Sequence, residues 1–118
     1  MPNPVVHFEI GCRDREKTVD FYKQLFDWQM SPGEIATEIV TTADDPVTGH
    51  IVSLGHEPHN YTNFYVEVAN ASEALQKAES LGGKILIPPI PIPDGSGSLF
   101  AWFADPEGTT IGLIQRKA

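Results

Sequence analysis

Cysteine is almost missing from this chain: Cys12 is the only one in 118 residues. A lone thiol excludes an internal disulfide and a thiolate metal cluster, and it suits a reducing compartment. Basic residues are also scarce. Eight Lys and Arg stand against sixteen Asp and Glu, giving a net charge of −8, and the eight are scattered rather than gathered into a stripe. That balance opposes phosphate backbones and anionic lipid, so neither nucleic acid nor membrane is expected as a partner. No apolar run is long enough to span a bilayer, and Met1-Pro2-Asn3-Pro4 leads into strand-like sequence instead of a basic, then apolar, export signal. A cytoplasmic protein is the expectation.

What is present is a sequence that states itself twice. At an offset of 56 positions, Val6-His7-Phe8-Glu9-Ile10 lies over Thr62-Asn63-Phe64-Tyr65-Val66, Asp14 over Asn70, Val19 over Leu75 and Leu25 over Leu81. One copy is too short to bury its own apolar face, so two half-domains are expected to share a core. The expectation is a single domain over 1–118 made of modules at about 4–60 and 61–117.

Val5 to Ile10 alternates as a strand, with Phe8 and Ile10 on one face and His7 and Glu9 on the other. Asp14 is placed to cap a helix running to Phe26, whose apolar stripe is Val19, Tyr22 and Phe26, widened by Phe21 and Leu25. Ala36 to Thr42 and His50 to Leu54 read as strands joined by the turn-rich stretch Asp44 to Gly49, with a short strand near Trp28 to Met30. The second copy repeats the order. It has a strand at Asn63 to Val68, a helix from Ala71 to Leu81 capped by Asn70 and ended by Gly82-Gly83, and a short strand at Lys84 to Ile87. Pro88 to Asp94 is too proline-rich for a central strand and reads as a rim or lid. Ser98 to Ala104 and Thr110 to Gln115 form a hairpin about Asp105-Pro106-Glu107-Gly108, where proline and glycine suit a turn.

If each copy covers one sheet face with its helix, the other face curves into a cup lined by His7, Glu9, Asn63, Tyr65 and Glu67, with Phe64 and Val66 behind it. Trp102 and Phe103 alternate, so one of them lines the cup and the other packs behind. The strand ending His-Phe-Glu-Ile, the helix with Thr-Val-Asp-Phe-Tyr and Leu-Phe-x-Trp, and the closing Phe-x-Asp-Pro-Glu-Gly-Thr-Thr-Ile-Gly-Leu hairpin resemble the vicinal oxygen chelate superfamily of glyoxalases, bleomycin-resistance proteins and extradiol dioxygenases. The resemblance implies an α+β fold of two tandem βαβββ modules forming a curved mixed sheet cup, a homodimer, and a small organic ligand.

Catalytic relatives hold a divalent metal with His or Glu from the first and last strands of each module. The resemblance carries those places onto His7, Asn63, Gly112 and either Val52 or Ser53. Of these only His7 is a strong donor, so no metal cofactor is expected. Two open readings attach to each inward residue. His7 is a general base or a hydrogen-bonded floor residue, and Glu9 is its acid–base partner or a solvated edge residue. Asn63, Tyr65, Glu67, Trp102 and Phe103 are the candidate ligand contacts, and His50, His56 and His59 read as surface histidines. Cys12 reads as a buried small hydrophobe or a thiol activated by the helix start. The leading function is a small-molecule-binding protein; whether it catalyses a reaction is left open, and if it does, metal-free proton transfer by His7 and Glu9 is the chemistry these residues support. The alternatives are a metal-dependent lyase or isomerase of the glyoxalase kind, and a drug- or toxin-sequestering protein whose Glu9 and Glu67 attract cations.

Overall fold

In a computed structural model, residues 2–42, 47–54 and 58–117 are described. The turn at Asp44 to Pro46 and His56 fall outside them. The order βαβββ occurs twice. The first pass is β1 (Val5–Gly11), α1 (Arg15–Phe26), β2 (Gln29–Pro32), β3 (Ala36–Val40) and β4 (Thr48–Val52). The second is β5 (Tyr61–Glu67), α2 (Ala71–Ser80), β6 (Lys84–Pro91), β7 (Leu99–Ala104) and β8 (Thr110–Gln115). The expected α+β class and tandem modules are therefore both present. By packing, the chain divides into one unit spanning Val6–Asn63 and another built from the residues on either side of it. Among the described residues no helix is long and apolar enough to cross a membrane.

In the first unit the strands run β2-β3-β4-β1, with β1 and β4 parallel and the other pairs antiparallel. Buried Cys12, Ile39 and Ile51 form its core, and Phe8, Ile10, Val19, Tyr22, Trp28 and Met30 pack against them. Alternation along β1 thus sends Phe8 and Ile10 toward α1 and leaves His7 and Glu9 on the opposite face. The Lys17 backbone N–H donates to the Asp14 carboxylate at 3.1 Å, which caps α1. The apolar stripe of α1 is narrower than expected. Phe21 and Leu25 are each 58% exposed, because the sheet reaches only the Val19 and Tyr22 side of the helix.

In the second unit the order is β5-β8-β7-β6, with β5 and β8 parallel. Leu75, Ala101 and Leu113 are its buried core, joined by Val66, Val68, Ala74, Ile85 and Phe103. Phe64, expected beneath the helix, is exposed, since the core under α2 takes in only the later residues Val66 and Val68. The proline-rich segment also departs from expectation. β6 continues through Pro88 and Pro89 to Pro91, which it tolerates because it is the last strand in its order, paired only to β7, with two register shifts. The Asp105 to Gly108 segment is a turn as read: the Asp105 carboxylate accepts from the Glu107 and Thr109 N–H groups, both at 2.9 Å, and Gly108 has φ 93°.

Candidate functional site

Parallel pairing of β1 with β4 sets Thr48 beside His7 and His50 beside Glu9. All four side chains lie on the face opposite α1, because Phe8, between His7 and Glu9, and Ile51, next after His50, belong to the core. His7 Nδ1 is 2.8 Å from Thr48 Oγ1, and His7 Nε2 is 2.6 Å from His50 Nδ1. The two imidazoles stack at 4.9 Å. His50 Nε2 then stands 3.7 Å from a Glu9 carboxylate oxygen, and that same oxygen accepts a short hydrogen bond from the Tyr61 hydroxyl.

Glu9 is 2% exposed, so it is no solvated edge residue. A carboxylate buried this deeply is held by its donors. It is also closed to direct contact with a ligand in solution. The imidazole beside it, His50, is 21% exposed and so is reachable. The Tyr61 hydroxyl has its pKa raised by burial first, and then by the hydrogen bond and the negative charge of Glu9, so it remains a proton donor through the physiological range.

His50 is therefore no plain surface histidine, and it, Tyr61 and Thr48 are site residues missing from the sequence reading. Period-two alternation was the available signal. His50 precedes buried Ile51 on β4, and Tyr61 leads the series Tyr61, Asn63, Tyr65, Glu67 that starts two residues earlier than the strand was drawn. His59 lies in the segment ahead of β5, half-buried.

In the second unit, Trp102 Nε1–H donates to the Tyr65 hydroxyl at 2.9 Å, and Tyr65 is buried. Trp102 is thus the aromatic on this face, while Phe103 packs into the core under α2 and is withdrawn from the ligand contacts. Glu67 pairs with Arg116 at 3.4 Å, so the carboxylate offered earlier as a lure for cations already has a cationic neighbour. Asn63, at the repeat position of His7, is buried with neither amide atom hydrogen-bonded among the described residues. Cys12 is buried, with its thiol toward the Val52 carbonyl at 3.6 Å, in keeping with the packing reading.

The register also corrects the repeat alignment. Glu9 pairs with His50 as its counterpart Tyr65 pairs with Gly112, so the first-module partner of Gly112 is His50, not Val52 or Ser53. Two of the four places where relatives hold a metal are thus imidazoles. The donor set still does not fit a divalent ion. In the first unit the nearest nitrogens of His7 and His50 are bonded to each other and Asn63 offers only an amide; in the second, a Cβ on Gly112 would already clash with carbons of the Tyr65 ring. Among the described residues no group of three or more His, Cys, Asp or Glu side chains is placed to hold a metal.

Comparison with known proteins agrees with this architecture. The chain is 23% identical over 124 residues to lactoylglutathione lyase GLX1 of Arabidopsis thaliana, covering 94% of this chain and 44% of that protein, so it spans less than half the length of that relative. The fold matches methylmalonyl-CoA epimerase from Mycobacterium tuberculosis with TM-score 0.75 at 10% identity, covering 97% of this chain and 88% of that one. It also matches a variant of the Streptomyces coelicolor epimerase, solved in complex with 2-nitronate-propionyl-CoA, with TM-score 0.67 at 16% identity over 100% and 97% of the two chains. Residues 5–113 match one family throughout, and the chain belongs to the Glyoxalase/Bleomycin resistance protein/Dioxygenase superfamily.

Proposed function

We propose that this chain is a glyoxalase-like small-molecule-binding protein whose first module moves a proton by metal-independent acid–base chemistry. The observation that carries the reading is the connected set His7, His50, Glu9 and Tyr61, in which a buried carboxylate backs two imidazoles. An imidazole both accepts and donates a proton, and a buried carboxylate behind it orients the ring toward a substrate proton. His7 is the group that meets the ligand, with His50 behind it. Glu9 acts through His50. Tyr65, Asn63 and Trp102 are the polar contacts proposed for the second module.

A homodimer of the 13.0 kDa chain and a cytoplasmic setting belong to this reading. The single Cys12 and the family resemblance support them. The relatives named above point to carbonyl-bearing ligands, including thioesters of coenzyme A. The net charge of −8 works against the phosphates of such a thioester and favours the smaller acyl portion.

Thermal-shift measurements with small oxo acids, phenols, methylmalonyl-CoA and a cationic drug test the reading, because a ligand that binds the folded state raises the melting temperature. A rise with an oxo acid or phenol that is lost in His50→Asn is expected. A stoichiometric divalent ion in protein purified without chelators, lost in His7→Asn, would overturn the metal-free reading. A response to the cationic drug alone would support sequestration instead.

A further inference from the structure

Every ring nitrogen of the two imidazoles faces a partner within the first unit, and the order of those partners gives the set a direction. Thr48 Oγ1 meets His7 Nδ1 at 2.8 Å, His7 Nε2 meets His50 Nδ1 at 2.6 Å, and His50 Nε2 faces the Glu9 carboxylate at 3.7 Å, with the Tyr61 hydroxyl donating to the same oxygen. Taking Glu9 as the anionic end of the set, the Tyr61 hydroxyl donates to it and the His50 nitrogen that faces it at 3.7 Å carries a proton, so His50 is protonated on Nε2 and accepts on Nδ1. His7 must then donate from Nε2, and its Nδ1 accepts from the Thr48 hydroxyl. This assignment satisfies both imidazole hydrogen bonds and turns a proton toward Glu9, whereas the reverse assignment makes the same two bonds but turns a lone pair toward the carboxylate. The former leaves His7 Nδ1 as the point of proton entry and Glu9, 2% exposed, as the terminus.

Resting on the acid–base reading above, we propose that His50 is a proton relay between His7 and Glu9, and that the Thr48 hydroxyl holds the place of a ligand bearing an acidic C–H or O–H. The ligand displaces the Thr48 hydroxyl from His7 Nδ1 and gives its proton to that nitrogen. The His7 Nε2 proton moves to His50 Nδ1, and the His50 Nε2 proton moves to Glu9. Both imidazoles finish neutral in the opposite tautomer, Glu9 finishes as the neutral acid, and the negative charge passes to the ligand, so protons and charge balance. The 3.7 Å separation lies beyond hydrogen-bond reach, so the last hop requires His50 and Glu9 to close by roughly 1 Å, the kind of tightening that accompanies ligand binding. Tyr61 is a positioning residue that fixes the receiving carboxylate. Glu38, opposite His50 on β3, is exposed and is a further carboxylate beside the relay.

Nitrogen NMR of the ligand-free protein, with isotope-labelled histidine at mildly alkaline pH where imidazoles are neutral, tests the relay. The expected spectrum shows both His7 and His50 as Nε2–H tautomers. Glu9→Gln replaces the anionic acceptor and is expected to change the tautomer fraction of both rings, although only His50 faces Glu9. Thr48→Val, a mild change at the other end that leaves Glu9 in place, is expected to change His50 as well as His7. An Nδ1–H tautomer in the unmodified protein, or a response confined to the ring nearest each substitution, overturns the relay. No ligand is involved, so that failure leaves small-molecule binding standing, while absence of any thermal shift defeats the binding reading with the tautomers unchanged.

Discussion

Buried Glu9 accepts a hydrogen bond from the Tyr61 hydroxyl, and His50 stands 3.7 Å from the same oxygen. Removing a donor from a buried charged acceptor costs about 1–3 kcal/mol. Tyr61→Phe keeps the ring, which lies where a Cβ on Gly11 would go, and removes only the hydroxyl. Urea denaturation is expected to show a loss of that size, and an unchanged midpoint would mean that Glu9 is satisfied from elsewhere. Gly112 offers the complementary case. Restoring the carboxylate of metal-binding relatives with Gly112→Glu pushes into the Tyr65 ring and breaks its bond from Trp102. Overpacking of this kind costs about 1–3 kcal/mol, and no metal is expected to appear by elemental analysis. In a Tyr65→Ala background, where the ring is gone, the penalty of Gly112→Glu is expected to shrink, which a double-mutant cycle reads directly.

At the scale of elements, the two helices repeat each other in sequence but not in anchoring. α2 buries Ala71 and Leu75, whereas α1 has no fully buried residue. Leu75→Ala is therefore expected to cost about 2–5 kcal/mol, and Leu25→Ala, at a site 58% exposed, to stay within about 0.5 kcal/mol of the parent. Equal losses in chemical denaturation would show that α1 is covered in solution. The helices, their caps and most strands were legible because a period of two or of 3.6 and an N-cap are local signals. Asp14, Asn70 and the Asp105 turn do what their residue types predict. β6 was cut short because proline content reports hydrogen-bonding capacity, while an outermost position in the sheet order, which excuses proline, is a property of the assembled sheet. His50 was missed for a related reason. Its place opposite Glu9 follows from the parallel register of β1 with β4, and unequal loops in the two modules hide that register from an alignment of the repeats. Within the site, His7 and Glu9 were visible because they sit on the strand that opens the chain, where alternation is unbroken.

For the whole molecule, the Tyr61 phenol ties global stability to alkaline pH. Tyr61 has a folded-state pKa raised above its ordinary value of 10.0, chiefly by burial and then by Glu9. Below that value the folded and unfolded chains both keep the phenol proton, and its contribution to stability is fully present. As pH rises above it, the unfolded chain releases the proton and the folded chain does not, so unfolding gains and stability falls toward the raised value. One such group contributes at most about 1.4 kcal/mol per pH unit, and less here because Tyr61 is only half-buried and partly screened by solvent. Other tyrosines and lysines also titrate in this range, and a chain already at −8 gains further self-repulsion, so the raw slope of the protein is not diagnostic. The difference between the parent and Tyr61→Phe cancels those shared contributions. Urea midpoints measured at several pH values above 10 are expected to fall more steeply for the parent, so that the two proteins converge as pH rises. Parallel curves would show that Tyr61 ionises as freely in the folded chain as in the unfolded one, and that Glu9 does not restrain it.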